Sequence, residues 1–205
     1  MVFEPLQPLF QPIPPEYGDR VTAVNQGGFI YGAEEGFTPN VVVDYNFNAA
    51  PWATGSGDLV NVVYPHRGIF FGTYPYGIFE LVLTADPGYQ VSLHGFDMAR
   101  WDSDEIINTV RVLDKDSNPL FVQDNAFIPV TGHRDFDFIS PLVSQSLTIF
   151  FDSTNLDFLQ SENVAMDNIT FSQTSTTPIP EPTTLTLFGL GAFGLLGYAW
   201  RRQKR

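Results

Sequence analysis

Asp135 and Asp137 alternate with Phe136 and Phe138, so in an extended strand both carboxylates stand on one face and both rings on the other. Carboxylates placed this way can act as paired acids on a glycosidic bond or as oxygen ligands to a cation. A solvated polar face accounts for them equally well. Two more oxygen-rich runs are Asp102-Ser103-Asp104-Glu105 and Asp114-x-Asp116-x-Asn118, the second without the glycine and twelfth-position glutamate of an EF-hand. Asp19 and Asp167 are candidates for a structural calcium, because an early strand and the final strand of a jelly roll often lie close together; this is the one cofactor the sequence admits. Trp52 and Trp101, with Tyr74 and Tyr76, offer flat apolar faces suited to stacking on sugar rings, although aromatics in a β-rich chain usually fill the core. His66, His94 and His133 are scattered, and no Gly-x-Ser-x-Gly elbow or His-Glu-x-x-His pair organises them. There is no cysteine, which removes disulfides, thiolate catalysis and Cys-ligated metals together. The expectation is a protein that is not an enzyme.

The elements that must carry these residues read as strands. Runs of β-branched and aromatic residues recur at 41–45, 59–64, 69–74, 78–85, 89–98, 107–113, 120–123, 134–139, 147–151 and 164–171, separated by turn residues. In one of them Phe79, Leu81, Leu83 and Ala85 share a face opposite Glu80 and Thr84, the alternation of a half-buried antiparallel strand. Between 89 and 98 the apolar phase changes at Gly95, from Val91 and Leu93 to Phe96 and Met98, which predicts a bulge. The run from Asp114 to Pro119 predicts a hairpin turn. Ten short strands without crossover helices predict an all-β, jelly-roll-like two-sheet β-sandwich. The last strand, Val164 to Phe171, resembles the closing strand of bacterial carbohydrate-binding-type sandwiches, in which an acidic residue helps to bind structural calcium.

Charge narrows the partners. Of 10 basic and 23 acidic residues, the last 28 positions hold four basic and one acidic, so residues 1–177 carry 6 against 22, a net charge close to −16. Such a surface repels phosphate backbones and excludes nucleic acid, while cations and neutral glycans stay admissible.

The C-terminus differs from everything before it. Thr183 to Trp200 is 18 residues without a charge, about 27 Å if helical, nearly a bilayer's hydrocarbon core. Tyr198 and Trp200 stand at its margin, and the basic cluster Arg201, Arg202, Lys204 and Arg205 follows, marking a cytoplasmic side. Gly189, Gly191 and Gly194 spell a dinucleotide-binding pattern but lack its preceding strand and later acidic residue. Upstream, Pro178-Ile179-Pro180-Glu181-Pro182 is a stiff, extended spacer. Pro180, Glu181 and Pro182, then a Gly/Leu-rich apolar span, then the basic cluster, resemble the PEP-CTERM sorting signal of Gram-negative bacteria, a tail also labelled the C-terminal domain of ice-binding proteins. No regularly spaced Thr array of the kind ice binding would use is visible.

The resemblance implies an exosortase as partner: the tail sits in the inner membrane with its C-terminus cytoplasmic, is cleaved near Pro-Glu-Pro, and the protein passes to the cell surface or outside. It covers about one-seventh of the chain. Export also calls for a signal peptide, and Met1-Val2-Phe3-Glu4-Pro5 supplies neither a basic nor an apolar region, so the true start is expected upstream. The organisation expected is a Pro-rich segment at 1–20, a β-sandwich at 21–173, a linker at 174–182, a single transmembrane helix at 183–200 and a basic tail at 201–205. The function expected is a non-catalytic, exported surface or matrix protein that binds glycan such as the host's exopolysaccharide. The alternative is a secreted polysaccharide hydrolase built on a carboxylate pair.

Overall fold

A computed structural model describes residues 13–32, 35–45, 49–52, 56–60, 62–65 and 77–176. The chain divides into one unit, Met1–Thr174, and a second, Ser175–Arg205, whose sorting tail lies outside the described residues, as do His66, Tyr74, Tyr76 and the expected strand at 69–74. Among the described residues no helix is long and apolar enough to cross a membrane.

The first unit is all-β. A two-stranded ribbon, β1 (Asn25–Gln26) and β2 (Phe29–Ile30), precedes β3 (Val41–Tyr45), β4 (Ala49–Trp52), β5 (Val62–Pro65), β6 (Ile78–Ala85), β7 (Tyr89–Arg100), β8 (Glu105–Leu113), β9 (Pro119–Ile128), β10 (Arg134–Ser144), β11 (Ser146–Asp152) and β12 (Val164–Ser175). A single helical turn, α1 (Phe158–Ser161), is capped by the Asp157 carboxylate, which accepts from the Gln160 N–H; it is too short to leave a helical period in the sequence. Two five-stranded sheets result, in the orders β10-β7-β12-β5-β4 and β3-β6-β11-β8-β9. From β5 onward, every link except the β8–β9 hairpin carries the chain from one sheet to the other, so each sheet is assembled from strands distant in sequence.

One apolar cluster joins the sheets. Val41, Phe79, Leu81, Leu83, Val112, Leu147 and Phe151 enter it from one sheet, and Val91, Leu93, Phe96, Met98, Met166 and Ile169 from the other, giving a β-sandwich. Phe79, Leu81 and Leu83 are fully buried while Glu80 is exposed, as the alternation predicts; each such burial stabilises by about 1.5–3 kcal/mol. The Asp114–Asn118 turn is also as expected: the Asp114 carboxylate accepts from the N–H groups of Asp116 and Asn118, both at 2.8 Å, and Ser117 takes a positive φ. The run at 59–64 is corrected, because Leu59 closes a tight bridge with Ser56 and the strand begins only at Val62.

Candidate functional site

The outer face of the first sheet is shaped by two breaks in strand phase. In β7, Leu93 and Phe96 both enter the core although three positions apart, and opposite them the β10 pairing jumps from Asp137↔Gly95 to Leu142↔Leu93. The expected irregularity at Gly95 is therefore present, with the surplus residues on β10. In β12, Met166 and Ile169 likewise both enter the core, and Asn168 between them holds φ near +50°. A residue in this left-handed region inside a strand marks a bulge that re-aims side chains, and asparagine tolerates it better than most.

These breaks turn a set of polar groups outward. Gly32, Glu35, His94, Asp97, Asp135, Asp137, Asn168 and Thr170 line a groove of about 500 Å³ across β10, β7 and β12. The Asn168 amide donates to Asp97 Oδ2 at 2.7 Å. His94 Nε2 lies 2.9 Å from Ser172 Oγ and 3.7 Å from Glu35 Oε2. Gly95 leaves room for this arrangement, since a Cβ there would stand 2.8 Å from Asp137 Oδ1 and 3.0 Å from the Phe136 carbonyl. Under the groove Phe96 and Phe136 stack at 5.0 Å, pinning β7 to β10.

At one end of the groove the residues that could do chemistry converge. Asp97 and Asp135 are direct partners across the β7–β10 ladder. His133, just before β10, places Nε2 2.9 Å from Asp135 Oδ1 and 3.9 Å from Asp97 Oδ2, and its Nδ1 meets Asp58 Oδ1 at 2.7 Å. Asp58 is brought there by a close backbone approach, because a Cβ on Gly57 would stand 1.8 Å from the Gly132 carbonyl oxygen. The hydrogen bond to Asp58 raises the His133 pKa above the usual 6.5, with Asp97 and Asp135 adding to it. The same bond holds the Asp58 carboxyl below the usual carboxylate range. Burial raises Asp97, and the Asn168 bond opposes the rise. Among the described residues this is the group of three whose donor atoms all lie within 4.8 Å of one another.

Several sequence candidates sit elsewhere. Asp19 accepts from the Val43 N–H at 2.7 Å, and Asp167 is buried within β12. Asp104 accepts from the Val130 N–H at 2.7 Å and Ser103 donates to Glu105, while Asp114 caps its own turn. Trp101 is 55% exposed just past β7, outside the groove lining. Of Trp52 only the backbone, in the edge strand β4, is described. Asp135 and Asp137 do share the exposed face opposite buried Phe136, as the alternation requires. What the sequence reading missed is that His94 and His133 meet the same face; neither spacing nor neighbours announce it.

Comparison with known proteins adds one firm result: residues 178–203 match the PEP-CTERM protein-sorting motif. That motif implies exosortase processing, membrane-anchored sorting through the C-terminus, and export to the cell surface. No curated protein matches the chain. Among solved structures, a mutant family 29 carbohydrate-binding module studied for ligand recognition aligns at 13% identity over 76% of this chain and 90% of its own, with a TM-score of 0.26, too low to carry an argument.

Proposed function

We propose that the protein is a non-catalytic surface or extracellular-matrix component that holds polysaccharide in the groove across β10, β7 and β12. The observation that carries this reading is the groove's lining, where carboxylate acceptors stand beside amide and hydroxyl groups, as with Asp97 next to Asn168. A sugar hydroxyl both donates and accepts, so it needs mixed partners of this kind on a rigid surface. An uncharged or cationic chain suits it, since the domain is strongly acidic. On this reading the basic cluster 201–205 stays cytoplasmic, the apolar span 183–200 crosses the inner membrane, and the exosortase acts near Pro180-Glu181-Pro182.

A polysaccharide hydrolase has one observation in its favour. Oxygens of Asp97 and Asp135 lie within 4.8 Å, not far from the about 5–5.5 Å of a retaining pair, and Asp97 has the raised pKa an acid needs. Against it, the His133 ring sits between the two carboxylates, where a scissile bond would have to enter. The test is isothermal titration of the host's own exopolysaccharide into the full-length protein, with reducing-sugar release followed in parallel. Binding that falls at least about tenfold in Asp137→Ala and Asn168→Ala, without sugar release, is the expected result. Unchanged binding in both variants removes the groove from the proposal, and sugar release abolished by Asp97→Asn establishes the hydrolase.

A further inference from the structure

We propose that Asp97, His133 and Asp135 form a binding site for a divalent transition-metal ion of the zinc class. The inference stands apart from glycan binding and does not depend on it. Its starting point is the imidazole rather than the carboxylates. A histidine serves a metal when one ring nitrogen is free to ligate and the other is fixed by a carboxylate, which sets the tautomer and makes the ligating nitrogen more basic. In His133 Nδ1 is held by Asp58 at 2.7 Å, and Nε2 faces Asp135 and Asp97, the two carboxylates that would share the ion with it.

The spacing fits such an ion. Tetrahedral coordination with bonds of about 2.0–2.1 Å separates neighbouring ligand atoms by about 3.3 Å. Here Nε2 lies 2.9 Å from Asp135 Oδ1 and 3.9 Å from Asp97 Oδ2, and all three donors fall within 4.8 Å of each other. The two Nε2 distances lie within about 0.6 Å of that value, and the Asp97 and Asp135 oxygens, up to 4.8 Å apart, close by up to about 1.5 Å through rotation of the exposed Asp135 carboxylate. The nitrogen donor selects for zinc-class ions, because calcium and magnesium prefer all-oxygen shells. Three protein ligands leave one position for water or a ligand oxygen, and two of those ligands, Asp97 and Asp135, also line the groove.

The supports are rigid. Asp97 is anchored by Asn168, Asp97 and Asp135 are paired across a sheet, and Asp58 is fixed by the Gly57–Gly132 contact. The ion takes the neutral ring, so any proton held on His133 Nε2 is released to solvent when it binds.

The experiment is calorimetric titration of zinc chloride into the chelator-stripped, full-length protein in detergent, near neutral pH and without glycan. The expected result is one zinc per chain, an affinity at least about 100-fold weaker in His133→Ala and in Asp135→Asn, and about 10–100-fold weaker in Asp58→Asn. Thermal melting of each variant separates loss of ligation from loss of fold, and Asp135→Asn, at an exposed position, keeps the strand intact. Absence of zinc binding in the wild type overturns the proposal. Equal binding in folded His133→Ala, or calcium binding as tightly as zinc, overturns it too.

Discussion

Replacing Gly57 by alanine should damage the site without touching any charged group. The Cβ would stand 1.8 Å from the Gly132 carbonyl oxygen, 2.9 Å from its carbonyl carbon and 3.1 Å from Ala99 Cβ, on a backbone with φ near +60°. The left-handed conformation costs an alanine about 1–2 kcal/mol, and forcing a methyl against fixed backbone adds about 1–3 kcal/mol. A loss of about 2–5 kcal/mol follows, or a fall in Tm of about 4–20 °C for a domain of this size. Gly132→Ala is the internal control. It also sits at positive φ, near +70°, but with nothing among the described residues within 4 Å of a Cβ built there, so it carries only the conformational cost of about 1–2 kcal/mol. Differential scanning calorimetry of both variants isolates the clash. Relief of the clash must move Asp58 away from His133, so the His133 pKa, followed by NMR in metal-free protein, should drop toward 6.5 in Gly57→Ala and stay high in Gly132→Ala. If the two variants melt within about 1 °C of each other and His133 titrates alike in both, the close approach does not position Asp58 and the account of the cluster is wrong.

Other consequences follow from the same residues. Because the His133 pKa is raised on folding, its contribution to metal-free stability is complete below the unfolded value near 6.5 and lost as pH rises through the folded value. Asp58, whose pKa is lowered, loses its contribution at the acid end; His133→Gln should abolish the loss that sets in as pH rises past the unfolded value near 6.5 in urea titrations across pH, and a persisting slope would assign it elsewhere. Asn168→Ala forfeits the bond to Asp97 and sets alanine at φ near +50°, an expected loss of about 2–4 kcal/mol. Asn168→Gly forfeits only the bond, so the glycine variant should be the more stable of the two in urea, and the reverse order would refute the bulge argument. Arg100 is fully buried, and among the described residues its Nε and Nη1 atoms find no hydrogen-bond partner while Nη2 donates to the Gln160 carbonyl at 3.1 Å. Arg100→Met should therefore be neutral or stabilising by up to about 4 kcal/mol, and a strongly destabilised variant would show that the cation is compensated.

Much of the architecture is written in local pattern. Phe79, Leu81 and Leu83 against Glu80 fix the inner face of β6, and the Leu93–Phe96 spacing reveals the phase break in β7. Met166 and Ile169 carry the same spacing in β12. The placement of Asp135 and Asp137 on one face needs only the period of a strand. The partnership of His133 with Asp58 is different in kind, since 75 residues separate them and the contact depends on two glycine backbones meeting. Sequence spacing has no access to such a pairing, because both sheets are assembled from strands remote along the chain. Asp19, Asp104 and Asp114 each accept from a backbone N–H, a use of the carboxylate that composition alone does not reveal.

The central claim is that this sandwich is delivered outside the cell through its C-terminal sorting motif. It is tested most directly by cell fractionation and intact mass in the native host, comparing wild type with a form carrying alanine at Pro180, Glu181 and Pro182. The account expects wild-type protein outside the inner membrane with the tail beyond the Pro-Glu-Pro region removed, and the substituted form full-length in the membrane. Full-length wild-type protein retained in the inner membrane beside the variant would contradict it and make the tail a plain anchor.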